Sequence, residues 1–152
     1  MGGRIRQKSS GGKTAAIGIF LLILLGIWII VKLNGGGKSG ISGATDKERI
    51  EYINSFGWEV AAAADKVEDI RIPANFDEAY EQYNALQKEQ GFDLRPYRAY
   101  SARQYTYRIT NYEGQSPAVP ICVHLIVIDG EIVGADISSS EANGFVTVLA
   151  KK

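Results

Sequence analysis

Residues 120–139 read PICVHLIVIDGEIVGADISS. Two aliphatic runs, Pro120 to Ile128 and Glu131 to Ser139, flank Asp129-Gly130. An Asp-Gly pair between such runs predicts a hairpin, because the tightest turns need residues that tolerate positive φ. A two-residue turn makes Ile128 face Glu131. Continued without interruption, that register places Val123, Leu125, Val127, Ile132, Gly134 and Asp136 on one face. Cys122, His124, Ile126, Val133, Ala135 and Ile137 fall on the other. The first face holds the unbroken aliphatic run, so helices are expected to cover it. Asp136 then lies at the edge of that face, opposite Val123. A buried polar site there needs a helix N-terminus, a Tyr hydroxyl or an Arg as partner.

Upstream of the hairpin, Ser101 to Tyr112 is a third strand-like run; downstream, Phe145 to Leu149 reads as a short extra strand. Thr45-x-x-Glu48 is a capping box, followed by Ile50, Ile53 and Phe56 at helical spacing until Gly57. Trp58 to Ala62 and Val67 to Ile72 read as one or two short strands ending at Pro73. Asn75-x-x-Glu78 is a second capping signal. Ala79, Tyr80, Tyr83 and Leu86 form the apolar stripe of a second helix, with Glu81, Gln82 and Lys88 outside and Gly91 closing it. The order α-β-α-β-β-β predicts an α+β fold, two helices packed on an antiparallel β-meander.

Outside this domain the sequence changes character. Ala15 to Val31, AAIGIFLLILLGIWIIV, is 17 residues without a charge. At about 1.5 Å per residue it nearly spans a bilayer core, and Thr14, Lys32 and Leu33 complete it. Trp28 suits the interface. Residues 1–44 carry six basic side chains and no acid, leaving 11 basic and all 17 acidic residues in 45–152, a net −6. The positive-inside rule therefore predicts a cytoplasmic basic tail (1–13), a transmembrane helix (14–33), a Gly/Ser linker (34–44) and an extracytoplasmic domain (45–152). Lys32-Leu33-Asn34 is no small-x-small cleavage site, which favours a signal-anchor over a cleaved signal peptide. An acidic domain outside the cell excludes nucleic acid as a partner.

The residues that carry chemistry are few. Cys122 is the single cysteine and His124 the single histidine. Alternation points both the same way, but side chains at i and i+2 of a strand lie about 7 Å apart, too far for a nucleophile–base pair. No metal-ligand spacing and no cofactor motif is present. Ser138 to Gly144, SSSEANG, has no Lys or His base placed beside it by sequence, and a turn explains its composition. Arg95 to Tyr112, RPYRAYSARQYTYRITNY, holds four Arg, five Tyr and no acid. Arg95, Tyr97, Arg98, Tyr100, Arg103 and Arg108 are its candidate binding surface, since interleaved Arg and Tyr grip anionic or aromatic partners. The competing reading packs the tyrosines and pairs the arginines with acids elsewhere.

The segments IEYINSFGW (50–58), IPANFDEAYEQYNALQKEQGFDL (72–94), YTYRITNY (105–112) and DGEIVGADISSSE (129–141) resemble a domain family of unknown function. Its members are small membrane-anchored proteins of low-GC Gram-positive bacteria. Ala99 and Ala135 stand where that pattern usually has glycine. The resemblance implies location and fold, with no activity to carry over. The expectation is a non-enzymatic, membrane-held binding module for a protein or cell-envelope component. The alternatives are a tethered inhibitor or regulator of an envelope enzyme and, last, a hydrolase uniting Asp136, His124 or the serines. The sequence sets neither the partner's identity nor an oligomeric state.

Overall fold

The computed structural model describes residues 40–141 and 144–151. The expected tail and transmembrane helix lie outside these residues; among the described residues no helix is long and apolar enough to cross a membrane. The fold is α+β. Its elements are β1 (Ile41–Ser42), α1 (Asp46–Asn54), β2 (Lys66–Arg71), α2 (Glu78–Glu89), a 3-10 turn (Arg95–Tyr97), β3 (Ser101–Arg108), β4 (Ile121–Ile128), β5 (Glu131–Ser139) and β6 (Val146–Thr147). The antiparallel sheet runs β1-β5-β4-β3-β2, and β6 shares the outer edge of β5 with β1. Strand β1 falls in the stretch read as linker. It pairs Ile41 with Ile132, and the N–H of Gly43 then donates to Gly130 O at 2.9 Å.

The helix signals translate into caps. Thr45 and Glu48 exchange both bonds of the capping box, Glu48 N to Thr45 Oγ1 at 3.3 Å and Thr45 N to Glu48 Oε2 at 2.9 Å. The second helix is capped by Asp77, which accepts the N–H of Tyr80 at 2.8 Å, not by Asn75. Of its expected stripe, Tyr80 and Tyr83 pack against the core and Leu86 is half-buried. Ala79 is exposed, and the buried residues of α2 are Asn84 and Gln87. The reason is backbone that needs partners. Between β1 and β6 the edge of β5 is open at Ala135. Gln87 Oε1 accepts the Ala135 N–H at 2.8 Å, and Gln90 Nε2 donates to the Ala135 carbonyl at 2.7 Å. Gln87 of α2 and Gln90 just past its end thus stand in for a missing strand. Asn84 Oδ1 does the same for the buried N–H of Leu94 at 2.8 Å. Such bonds recover the roughly 1–3 kcal/mol that an orphaned buried group would cost.

The helices do not share one face. Ile53 of α1 packs with Tyr107, Val123, Leu125, Val127, Ile132, Ala135 and Ile137. A second cluster holds Ile72, Leu94, Ala102, Ile126, Ile128 and Val133, with Tyr80 and Tyr83 of α2 against it. Because Leu125 and Ile126 are strand neighbours, the clusters lie on opposite faces of the sheet. The α1 face also buries Arg49, which donates from Nε to the Tyr107 hydroxyl at 2.7 Å and stacks 3.6 Å over the Tyr105 ring.

The hairpin register departs from the uninterrupted reading at one place. Ile128 faces Glu131 and Val127 faces Ile132, but Ile126 faces Gly134, which leaves Val133 as an extra residue in a β-bulge. From there on β5 is displaced by one. Asp136 lies opposite His124 rather than Val123, and Ser138 opposite Cys122. A straight register would drive Asp136 among the aliphatic side chains under α1, an expensive place for a carboxylate. The bulge moves it to the other face and gives Ala135 and Ile137 to the α1 core.

Candidate functional site

The sheet face turned away from α1 divides into two halves. Near the β4–β5 turn it is apolar and covered by α2 and the segment after it. Farther along it is polar. Strand β3 contributes Gln104, Thr106 and Arg108; β4 contributes Cys122 and His124; β5 contributes Asp136 and Ser138. The register sets Thr106, His124 and Asp136 in one row and Arg108, Cys122 and Ser138 in the next. Arg108 is exposed, Asp136 is buried and the others are half-buried, so this half of the sheet meets solvent beyond the end of the α2 cover.

His124 is the centre of the polar half. Its Nδ1 lies 3.0 Å from Thr106 Oγ1 and 3.2 Å from Gln104 Nε2. Its Nε2 lies 2.9 Å from Ser138 Oγ. An amide nitrogen only donates, so with Gln104 in this orientation Nδ1 accepts and the ring proton sits on Nε2, donating to Ser138. The sequence reading placed no base beside these serines. The bulge is what brings Ser138 to the histidine, a one-residue shift that local pattern does not encode.

Asp136 finds the Tyr hydroxyl that its burial demands. Tyr83 donates to Oδ2 at 2.7 Å from the next turn of α2. Burial pushes the Asp136 carboxyl up, and the neighbouring His124 and the Tyr83 bond pull against that rise. Burial, reinforced by the Asp136 charge, pushes the Tyr83 phenol up in turn, so it stays a donor. Burial and the Asp65 carboxylate hold the Cys122 thiol above its ordinary range, with Arg108 opposing. Cys122 is therefore a neutral thiol at physiological pH, a poor nucleophile. Among the described residues no three His, Cys, Asp or Glu side chains gather to hold a metal.

The Arg/Tyr stretch does not form one surface. Arg95 pairs with Glu81 at 2.6 Å and Arg103 with Asp69 at 3.3 Å. Arg98 lies 5.0 Å over the Phe76 ring. Tyr97 and Tyr100 meet edge to face at 6.1 Å. Arg103 and Arg108 have opposite parity on β3 and leave from opposite sheet faces. Arg108 alone joins the polar half of the sheet. Arg103 instead borders an open depression of about 800 Å³ on the sheet margin, with Asp69, Arg71, Ser101 and Tyr105.

Residues 52–137 match a family described only as a domain of unknown function, DUF4830. The chain belongs to that family. This agrees with the resemblance carried by the α2 block and the hairpin. No curated protein and no solved structure matches the chain. The DUF4830 segment runs from within α1 to Ile137 on β5, so it includes Tyr83, Gln87, the bulge, His124 and Asp136. Ser138, hydrogen-bonded to His124, is the first residue beyond it.

Proposed function

We propose that the chain is a single-pass, membrane-anchored protein whose extracytoplasmic domain is a non-catalytic binding module for a protein or other cell-envelope component. The observation that carries the non-catalytic part is the state of His124. With the Gln104 amide nitrogen turned to Nδ1, the neutral ring carries its proton on Nε2, toward Ser138, and in that tautomer it is not placed to act as that serine's base. Cys122, the other nucleophile on this face, is held as a thiol. What the polar half offers instead is a firmly hydrogen-bonded surface of mixed donors and acceptors. Thr106, Ser138 and Arg108 present it on rigid strands, which suits recognition. Anchoring rests on the apolar run Ala15 to Val31 and on the basic residues ahead of it.

Site-specific photo-crosslinking in intact cells tests both parts. A photoreactive residue at Arg108, on the polar half, is expected to give a discrete adduct. The same residue at Lys47, exposed on α1, is not. Protease added outside wall-less cells is expected to remove the domain. Equal labelling from both positions, or a domain protected until the membrane is dissolved, would overturn the reading.

A further inference from the structure

Strand β2 ends the sheet with six residues, Lys66–Arg71, and no strand among the described residues pairs with its outer edge. The Ile72 N–H goes inward to Tyr100 O at 3.0 Å. Alternation then turns the backbone N–H and C=O groups of Val67, Asp69 and Arg71 outward. Such an edge is a template for a further strand. Its side chains decide which strand it accepts. Lys66, Glu68, Asp69 and Arg71 are charged, and like charges directly opposite one another oppose pairing.

Consider the edge pairing with itself about a two-fold axis. Centred on Lys66, Glu68, Asp69 or Arg71, it sets that residue against its own copy, a like-charge clash each time. Centred on Val67, it sets Asp65 against the partner's Asp69. Centred on Ile70, it sets Asp69 against the partner's Arg71, Arg71 against the partner's Asp69, and Ile70 against the partner's Ile70. Within β2 the Val67 register is also free of like-charge opposition, but once the flanking Asp65 is counted only the Ile70 register is. It also makes the outward backbone groups of Asp69 and Arg71 meet their counterparts, and it extends the α2-side apolar cluster through half-buried Ile70. Asp69 keeps room for a second arginine. Its side chain is 88% exposed even while it contacts Arg103. The charges thus exclude indiscriminate strand addition while admitting one partner.

We propose that the chain self-associates through β2 as an antiparallel dimer with Ile70 on the two-fold axis. The inference is independent of the binding-module reading, since a dimer forms or fails whatever the polar half of the sheet recognises. The test uses the full chain in detergent or lipid vesicles, with Cys122→Ala to remove the native thiol. Ile70→Cys places two thiols at a non-hydrogen-bonded pair, where Cα atoms about 4.5 Å apart suit a disulfide. Mild oxidation is expected to give a covalent dimer, at least tenfold more than Val67→Cys, which the register holds well away from its copy. Asp69→Arg in the Ile70→Cys background is expected to abolish the dimer, and Asp69→Arg with Arg71→Asp to restore it. Sedimentation of the same charge variants without the engineered cysteine checks the register through exposed residues that the fold does not need. No dimer from Ile70→Cys, a yield indifferent to Asp69→Arg, or no recovery in the double charge swap would each overturn the proposal.

Discussion

Tyr83→Phe tests the polar site most directly. The substitution removes one oxygen and leaves the ring's packing in place. It strips Asp136, 6% exposed, of the hydroxyl that donates to it at 2.7 Å. A hydrogen bond to a charged group contributes about 1.5–3 kcal/mol. For a domain of this size each kcal/mol moves the melting temperature by roughly 4–8 °C, so a fall on the order of 10 °C is expected at neutral pH. The pH dependence has a definite sign. Burial raises the folded pKa of Asp136, so the cost of ionising it appears as pH rises through that value. The Tyr83 bond lowers that pKa, and its loss enlarges the cost above the folded pKa. Below the ordinary carboxylate range Asp136 is protonated in both folded and unfolded chains. The Tyr83→Phe loss should then shrink to that of a neutral bond, about 0.5–1.5 kcal/mol. Asp136→Asn keeps an acceptor for Tyr83 without the buried charge. It should match or exceed the parent's stability at neutral pH and reduce the cost of a second Tyr83→Phe substitution to the same neutral value. Thermal unfolding of the four proteins by near-ultraviolet circular dichroism, at pH 7.5 and about pH 3, supplies the measurement. A Tyr83→Phe loss below about 0.5 kcal/mol, a loss equal at both pH values, or full additivity with Asp136→Asn would refute the reasoning.

Three further outcomes follow from the same contacts. Gln87→Ala leaves the Ala135 N–H without its acceptor and should cost about 1–3 kcal/mol in denaturant unfolding, with faster amide exchange at Ala135. Gly134→Ala puts a Cβ 3.2 Å from Gln87 Oε1 and 3.3 Å from Ile126 Cδ1 and Leu94 Cδ2. That crowding should lower stability by about 1–3 kcal/mol, and relief by Gln87→Ala in the double variant would locate the clash. Thr45→Ala removes the side-chain half of the capping box and should cost about 1 kcal/mol, read as a lower denaturation midpoint with unchanged slope.

The legible parts of the fold are those set by neighbours in sequence. Asp129 and Gly130 take φ of 50° and 81°, as their turn requires, and the Thr45–Glu48 box caps α1 as its spacing says. The rest is set by partners distant in sequence. Asn84 and Gln87 are buried because Leu94 and Ala135 need hydrogen bonds, a demand no helical periodicity records. Arg49 is buried because Tyr107 and the Gly43 carbonyl, at 2.6 Å from Nη1, hold it there. Asp136, for which the sequence suggested a helix N-terminus, a Tyr hydroxyl or an Arg as partner, accepts from Tyr83, and Cys122, His124 and Ser138 stood out only singly. Their grouping was not legible, because it turns on Val133.

That single residue connects the stability of the domain to its surface chemistry. On the α2 side Val133 fills the second core, while Ile132 before it fills the first. Two consecutive residues on opposite cores are ordinary strand alternation; what the bulge adds is a change of phase for everything after them. Ala135 and Ile137 are small or aliphatic and suit the α1 core they enter. Asp136 and Ser138 are polar and suit the face shared with His124, Thr106 and Tyr83. Either phase would bury some apolar area, so hydrophobic burial alone does not choose between them. The carboxylate does. In the straight phase Asp136 would face Val123 beneath α1, where the buried donors Arg49 and Tyr107 are already bonded to each other and to Asp46. The polar face of the DUF4830 domain is therefore a consequence of keeping one charge out of the aliphatic core, and the residues it collects are those that the displaced strand carries with that charge.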